Sequence, residues 1–264
     1  VLIQYVPADA STGSQLFWLF LAIVGAMLIA IIIGAITGLI ISHIGAHPIL
    51  VTLGSMTIIS GIGIYLTKGA ALSGMPPVVR SIGSEVIMGI PVPMMIFIVT
   101  TVALALFLGK TRTGKTIYMC GSNINATWFS GIRTDRVLIA IYAISSMLCV
   151  LAGLIMLARF NSARMGYGDS YLLLTVLAIV LGGTDPFGGA GKVSHVFCAL
   201  LVLQVIATGL SLLGLSLHFN LAVWGITLIA ALAFKFIKQK WQLQRDMNKS
   251  RKIFQQQLIT REGK

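Results

Sequence analysis

Residues 16–42 form an almost unbroken apolar run. A helix of roughly 20 residues crosses a hydrocarbon core, so this run is long enough to span a bilayer. Further apolar runs follow at residues 49–66, 94–109, 137–157, 172–181, 193–213 and 217–236. With no water in the bilayer core to satisfy backbone amides, these runs have to fold as helices. The fold class they predict is all-α, a polytopic transmembrane helical bundle of about seven membrane segments. The segment near residues 171–183 is short or broken, because its apolar part ends at a glycine-rich stretch. Composition agrees: 57% of residues are hydrophobic and 10% charged, against about 25% charged in soluble domains.

The longest polar interruption, residues 110–136, organises the rest. It carries Lys110, Arg112, Lys115, Arg133 and Arg136, and the remaining bases are concentrated from Lys235 to the C-terminus. Basic residues favour the cytoplasmic side, so this stretch reads as a cytoplasmic loop. The same rule places the C-terminus inside, leaving only Lys68, Arg80, Arg159 and Arg164 outside. The net charge of +12 is thereby explained by topology, without nucleic acid. Residues 1–237 are expected to form one transmembrane domain and residues 238–264 a basic cytoplasmic tail that can lie on anionic lipid. No signal peptide is expected, the chain beginning at Val1 without a basic n-region and cleavage site.

Within the runs, Gly34 and Gly38 have the i, i+4 spacing that lets a neighbouring helix approach closely, and packing inside one subunit is the simpler use of it. Thr52, Ser55, Thr57 and Ser60 stud the second run and are candidates for lining a polar substrate path. Residues 68–89 and 159–170 read as outer loops, with prolines at 76, 77, 91 and 93. Cys120, Cys149 and Cys198 stand apart with no CxxC spacing, and His43 and His47 lack a third ligand nearby. No metal site or disulfide is expected.

Gly109 to Thr116 reads GKTRTGKT and matches the phosphate-binding pattern GxxxxGK[ST] letter for letter. That motif needs a strand before the loop and a helix after it. Here an apolar run precedes it, so a helix end is the expectation. Every Asp and Glu falls in a loop or tail. An ion-coupled carrier usually places ionisable groups within the membrane, and an intramembrane hydrolase needs a catalytic set that the runs lack. No catalytic residue is assigned, and energy has to come from elsewhere. In the central stretch Ala126, Trp128, Phe129 and Ile132 can gather on one side of a short helix, with Asn123, Asn125 and Ser130 supplying polar positions. Such a helix can seat in a partner's groove, or its aromatics can rest at the headgroup level.

Three blocks carry a resemblance. Gly114, Ile117, Tyr118, Gly121, Asn123, Ala126, Ser130, Gly131 and Ile132 fall on a pattern of the form G-R-x-I-Y-A-I-G-G-N-x-x-A-A-x-x-S-G-I. Pro48, Val51, Thr52, Leu53, Gly54 and Gly61 fall on P-x-x-I-V-T-L-G-T-x-x-I-x-R-G. Ala178, Gly182, Gly183, Thr184, Gly188, Gly189 and Gly191 fall on I-A-A-V-V-I-G-G-T-S-L-x-G-G-x-G. In this order the blocks resemble the permease subunits of monosaccharide ABC importers of the ribose, xylose and galactose type.

That resemblance implies translocation of a monosaccharide across the cell inner membrane. The chain would bind no cofactor; ATP would be used by a partner ATPase subunit. Further implied partners are a second permease copy or paralogue and a periplasmic or extracellular sugar-binding protein. The ATPase-coupling residues would be Gly121, Asn123, Ala126, Trp128, Phe129, Ser130, Gly131 and Ile132, and the glycine-rich block 182–191 would be structural. A branched-chain amino-acid ABC permease and an ATPase-independent carrier are the alternatives. The family's G-G-I-D-L-S-V-G block is unmatched, so the resemblance implies a chain lacking the family's first spans or a divergent copy. Lys115, Cys120, Ser122, Thr127, Ser194 and His195 also depart from the pattern, which bears on partner affinity and sugar preference more than on fold.

Overall fold

The computed structural model describes residues 12–185, 188–215, 219, 221–234, 237, 240 and 241. Its helices are α1 (Thr12–Ile44), α2 (Pro48–Thr67), α3 (Pro77–Ser84), α4 (Val92–Lys110), α5 (Arg112–Ser122), α6 (Ile124–Phe129), α7 (Thr134–Phe160), α8 (Asp169–Leu181) and α9 (Val193–Leu212). A tenth, α10 (Leu221–Phe234), follows. Two antiparallel pairs of two-residue strands complete the described elements: β1 (Leu72–Ser73) with β4 (Ser162–Ala163), and β2 (Val86–Ile87) with β3 (Ile90–Pro91). The basic tail lies outside the described residues apart from Lys240 and Trp241, as does the expected domain boundary after residue 237.

Helices α1, α2, α4, α7 and α9 are long and apolar enough to cross a membrane, and α8 and α10 are shorter apolar helices. This is the expected set of runs, with α8 as the short one. Their large side chains point outward: Phe17, Leu50, Val99 and Val205 are all more than 60% exposed. A soluble chain would aggregate through such faces. The protein is a multi-pass helical membrane protein.

The helix ends follow from local sequence. Pro48 sits in the first turn of α2, where its missing N–H removes nothing, and His47 before it is extended, as a residue preceding proline prefers. At the end of α8, Thr184 N donates to Ile179 O at 3.1 Å and Gly183 N to Val180 O at 3.1 Å, with Gly183 at φ +70°. This is the double bond of a Schellman cap, which needs a left-handed residue. It stops α8 after 13 residues, which is why this apolar helix is short.

The chain divides into two compact units, Val1–Asp169 with Phe187–Ser194, and Ser170–Pro186 with His195–Lys264. In the first, α1 lies along α7. A Cβ placed on Gly34 would stand 2.5 Å from the Tyr142 carbonyl oxygen, and one on Gly38 would stand 2.7 Å from the Ile139 Cα. The small-residue spacing therefore serves helix packing within the subunit, as expected. Around Leu19, Met75, Val79 and Ala158 a small apolar core joins α1, α3 and α7. In the second unit, Leu177, Ala178, Leu203 and Trp224 form the core of α8, α9 and α10, and a Cβ on Gly182 would stand 2.9 Å from the Val196 Cα, so glycine there lets the end of α8 approach the Val196 backbone.

Contacts in the first unit sort the connections into two ends, as alternating crossings require. At one end β1 pairs with β4, Asn161 Oδ1 accepts from Met75 N at 3.1 Å, and Arg159 Nη1 donates to Gly83 O at 3.3 Å. The expected outer loop at residues 68–89 thus contains α3, an amphipathic helix whose Val79 and Gly83 are buried. At the other end Ser42 Oγ donates to Asp135 Oδ1 at 2.7 Å. Asp135 and Asp169, expected in loops, sit instead in the first turns of α7 and α8, where a carboxylate complements the helix dipole.

Candidate functional site

The polar stretch 110–136 is helical over most of its length. Its first part turns a corner. Thr111 alone separates α4 from α5, and its Oγ1 caps α5 by accepting from Gly114 N at 3.0 Å. A Cβ on Gly114 would collide with the carbonyl oxygens of Leu108 and Phe107, so glycine is what lets the corner close. The GKTRTGKT letters therefore form helix, cap and helix. No loop of glycine amides exists there to cradle a phosphate.

Asn123 ends α5 and begins α6. Its extended backbone donates N–H to Met119 O at 3.0 Å, and its Oδ1 accepts from Ala126 N at 3.0 Å. An asparagine at an N-cap satisfies one of the orphan amides of the next helix. α6 then exposes Ala126, Trp128 and Phe129. The two aromatic rings meet edge to face with centroids 5.0 Å apart, Trp128 being 60% and Phe129 80% exposed. Thr127 points the other way, 2% exposed, with its Oγ1 donating to Asn123 O at 2.8 Å. Ser130 closes the helix, its Oγ donating to Ala126 O at 2.9 Å, and Gly131 at φ +81° turns the chain away. Ile132 lies beyond that turn and is half-buried. It does not share the face of α6, because the helix stops at Phe129. Behind Thr127, burial raises the Cys120 thiol above its ordinary range, partly offset by the hydrogen bond with Thr127.

The glycine-rich block splits into two roles. Gly182, Gly183 and Thr184 end α8 as described, and Thr184 Oγ1 is buried without a hydrogen-bond partner among the described residues. Gly188, Gly189 and Gly191 all have positive φ and lie against the end of α5, where Tyr118 Oη donates to Gly191 O at 3.0 Å. The block and the central stretch, expected separately, thus meet. Sequence reasoning missed Tyr118 and Ser122 as partners of that block.

The hydroxyls proposed to line a substrate path are dispersed. Thr52 Oγ1 donates to Pro48 O at 3.0 Å and Thr57 Oγ1 to Leu53 O at 2.9 Å, each within its own helix. Ser55 Oγ lies 3.3 Å from Thr37 Oγ1 on α1, and Ser60 is half-buried. At 100° per residue the four spread over roughly 200° of α2, with Thr52 near Ser55 and Thr57 near Ser60. The three cysteines are free, and no group of three or more His, Cys, Asp or Glu gathers among the described residues.

Fold and site together define a multi-pass membrane protein that offers an aromatic helix on the connection between its third and fourth spans. The chain belongs to the family described as branched-chain amino acid transport system / permease component, which it matches over residues 3–232. It is 35% identical over 196 residues to the ribose import permease protein of Bacillus subtilis, covering 74% of this chain and 61% of that protein. It is 28% identical over 210 residues to an autoinducer 2 import system permease protein of Photorhabdus temperata, covering 77% and 63%. To the D-allose transport system permease protein of Escherichia coli it is 29% identical over 212 residues, covering 80% and 65%. The chain thus spans less than two thirds of the length of these relatives. No solved structure matches it.

Proposed function

We propose that this chain is a permease subunit of an ATP-binding-cassette importer that carries a monosaccharide across the cell inner membrane. The observation that carries the reading is α6, a capped helix that leaves Trp128 and Phe129 exposed and is followed in sequence by Arg133 and Arg136. Burying such aromatics in a partner's groove is worth on the order of 2 kcal/mol each, so leaving both exposed argues for a partner. The relatives named for ribose and D-allose support a sugar as cargo.

In this reading the chain performs no chemistry and holds no cofactor. A cytoplasmic ATPase subunit docks on α6, hydrolyses ATP, and shifts two conformations of the membrane helices by contacting them differently. A second permease copy or paralogue completes the pathway, a sugar-binding protein delivers cargo from outside, and the C-terminus lies in the cytoplasm. Gly121, Asn123, Ser130, Gly131 and Ile132 position α6, and Ser55 with Thr37 is the best-placed polar pair for a path between helices.

The test is uptake of labelled D-ribose, D-allose and D-galactose by cells carrying the chain with the ATPase and binding protein encoded beside it. Uptake of one sugar that requires the ATPase supports the reading. Uptake that persists without the ATPase overturns it.

A further inference from the structure

The end of α5 and the segment 188–191 touch through backbone. A Cβ on Gly121 would stand 2.5 Å from Gly189 N, one on Gly188 3.0 Å from Gly121 Cα, and one on Gly189 2.7 Å from Ser122 Cα. Backbone atoms have no rotamer to turn aside, so a side chain at any of the three has to push the segments apart. The conformations exclude side chains as well, with φ at +104°, +82° and +155° for Gly188, Gly189 and Gly191. One turn back along α5, Tyr118 Oη reaches 73 residues along the chain to Gly191 O. Two residues after Gly191, α9 begins at Val193. At its other end α5 is fixed to α4 by the Gly114 corner, and through Asn123 it continues directly into α6.

We propose that Tyr118, Gly121 and Ser122 grip Gly188–Gly191 as a slack-free joint that hands a displacement of α6 to the start of α9, making Tyr118 and Gly189 positioning residues for coupling. The inference rests on the importer reading and deepens it, since it names where motion at the ATPase contact enters the membrane helices. Close-packed contacts transmit displacement because they have no void to absorb it. A contact through flexible side chains would yield first. Among the described residues the side-chain atoms in the grip are the Ser122 Cβ, which has no rotamer of its own, and Tyr118, held at its far end by a hydrogen bond.

The experiment is hydrogen exchange on the complex of the full chain with its ATPase, without nucleotide and with ATP plus orthovanadate. The readout is exchange in peptides covering residues 193–200. Wild type is expected to change by about tenfold between the two states, a typical coupling factor. In Gly189→Ala the change is expected to vanish, and in Tyr118→Phe to fall several-fold, with ATPase yield unchanged in both because α6 is untouched. Gly109→Ala, where a Cβ meets nothing within 4 Å, is expected to behave as wild type. If Gly189→Ala fails to accumulate, Tyr118→Phe decides, since it removes one oxygen. A full nucleotide-driven change in Tyr118→Phe and any accumulated Gly189→Ala overturns this inference and leaves the importer reading standing. Absence of any ATPase from the wild-type preparation overturns both.

Discussion

Replacing Gly34 by alanine tests whether α1 and α7 are held together by backbone approach. The new Cβ would lie 2.5 Å from both the Tyr142 oxygen and Ser146 Oγ, roughly 0.9 Å inside ordinary contact. Ser146 can rotate, but the Tyr142 carbonyl belongs to the backbone of α7, so the helices have to separate. Overpacking of this kind costs about 1–3 kcal/mol, against a gain of about 0.5–1 kcal/mol from replacing a helical glycine by alanine. The net expectation is a loss of about 1–2 kcal/mol, a factor of roughly 5–30 in the folded ratio. Gly25 on the same helix has nothing within 4 Å of its built Cβ, so Gly25→Ala is expected to be neutral or stabilising. The assay is unfolding in mixed micelles titrated with sodium dodecyl sulfate, followed by tryptophan fluorescence. Gly34→Ala/Gly38→Ala should lose less than the sum of the single variants, because one displacement of α7 relieves both contacts. Equal stability of Gly34→Ala and Gly25→Ala would refute the reasoning.

At the opposite end of the first unit, Asn161 occupies a left-handed conformation at φ +51° while its side chain accepts the Met75 amide. Asn161→Ala leaves that donor unpaired, at about 1–3 kcal/mol, and should speed proteolysis within residues 70–76; an unchanged cleavage rate would count against the packing of residues 70–76 on the end of α7. Cys120 is 4% exposed and its thiol is held above the ordinary range by burial. In a Cys149→Ser/Cys198→Ser background, maleimide should label Cys120 at least about tenfold more slowly in the folded protein than after unfolding, since the thiolate is the reactive form. Its labelling rate should climb as pH rises past the usual thiol range. Rapid labelling at neutral pH would show that the packing behind α6 is wrong.

The spans were legible because apolar length is a strong local signal. Residues 137–157 became α7 from Thr134 to Phe160, extended by Thr134, Asp135 and Arg136 at its start and by Ala158, Arg159 and Phe160 at its end, since a helix continues until its backbone groups find other partners. α3 was hidden inside an assumed loop, although Pro76 and Pro77 followed by Val78, Val79 and Ile82 carry a helix start and an apolar face. Strands of two residues, such as Leu72–Ser73 against Ser162–Ala163, carry no period and could not be read. In the site, the N-cap role of Asn123 and the turn at Gly131 follow from residue type. The hydrogen bond from Tyr118 to Gly191 does not, because two glycine-bearing stretches announce flexibility and close approach without naming what approaches. On α2, Thr52 and Thr57 bond carbonyls of their own helix, an option that local sequence always offers threonine.

The proposed role of α6 is to be the surface that an ATPase subunit engages. The most direct measurement is co-purification of the tagged full chain with the ATPase encoded beside it, comparing wild type with Trp128→Asp. Trp128 is exposed and its neighbour Thr127 carries the internal packing, so the variant should insert and fold as wild type does. Wild type is expected to give a stable complex and Trp128→Asp to lose it, because a charge replaces an aromatic anchor at the proposed interface. An undiminished complex with Trp128→Asp, or none with wild type, would contradict that role.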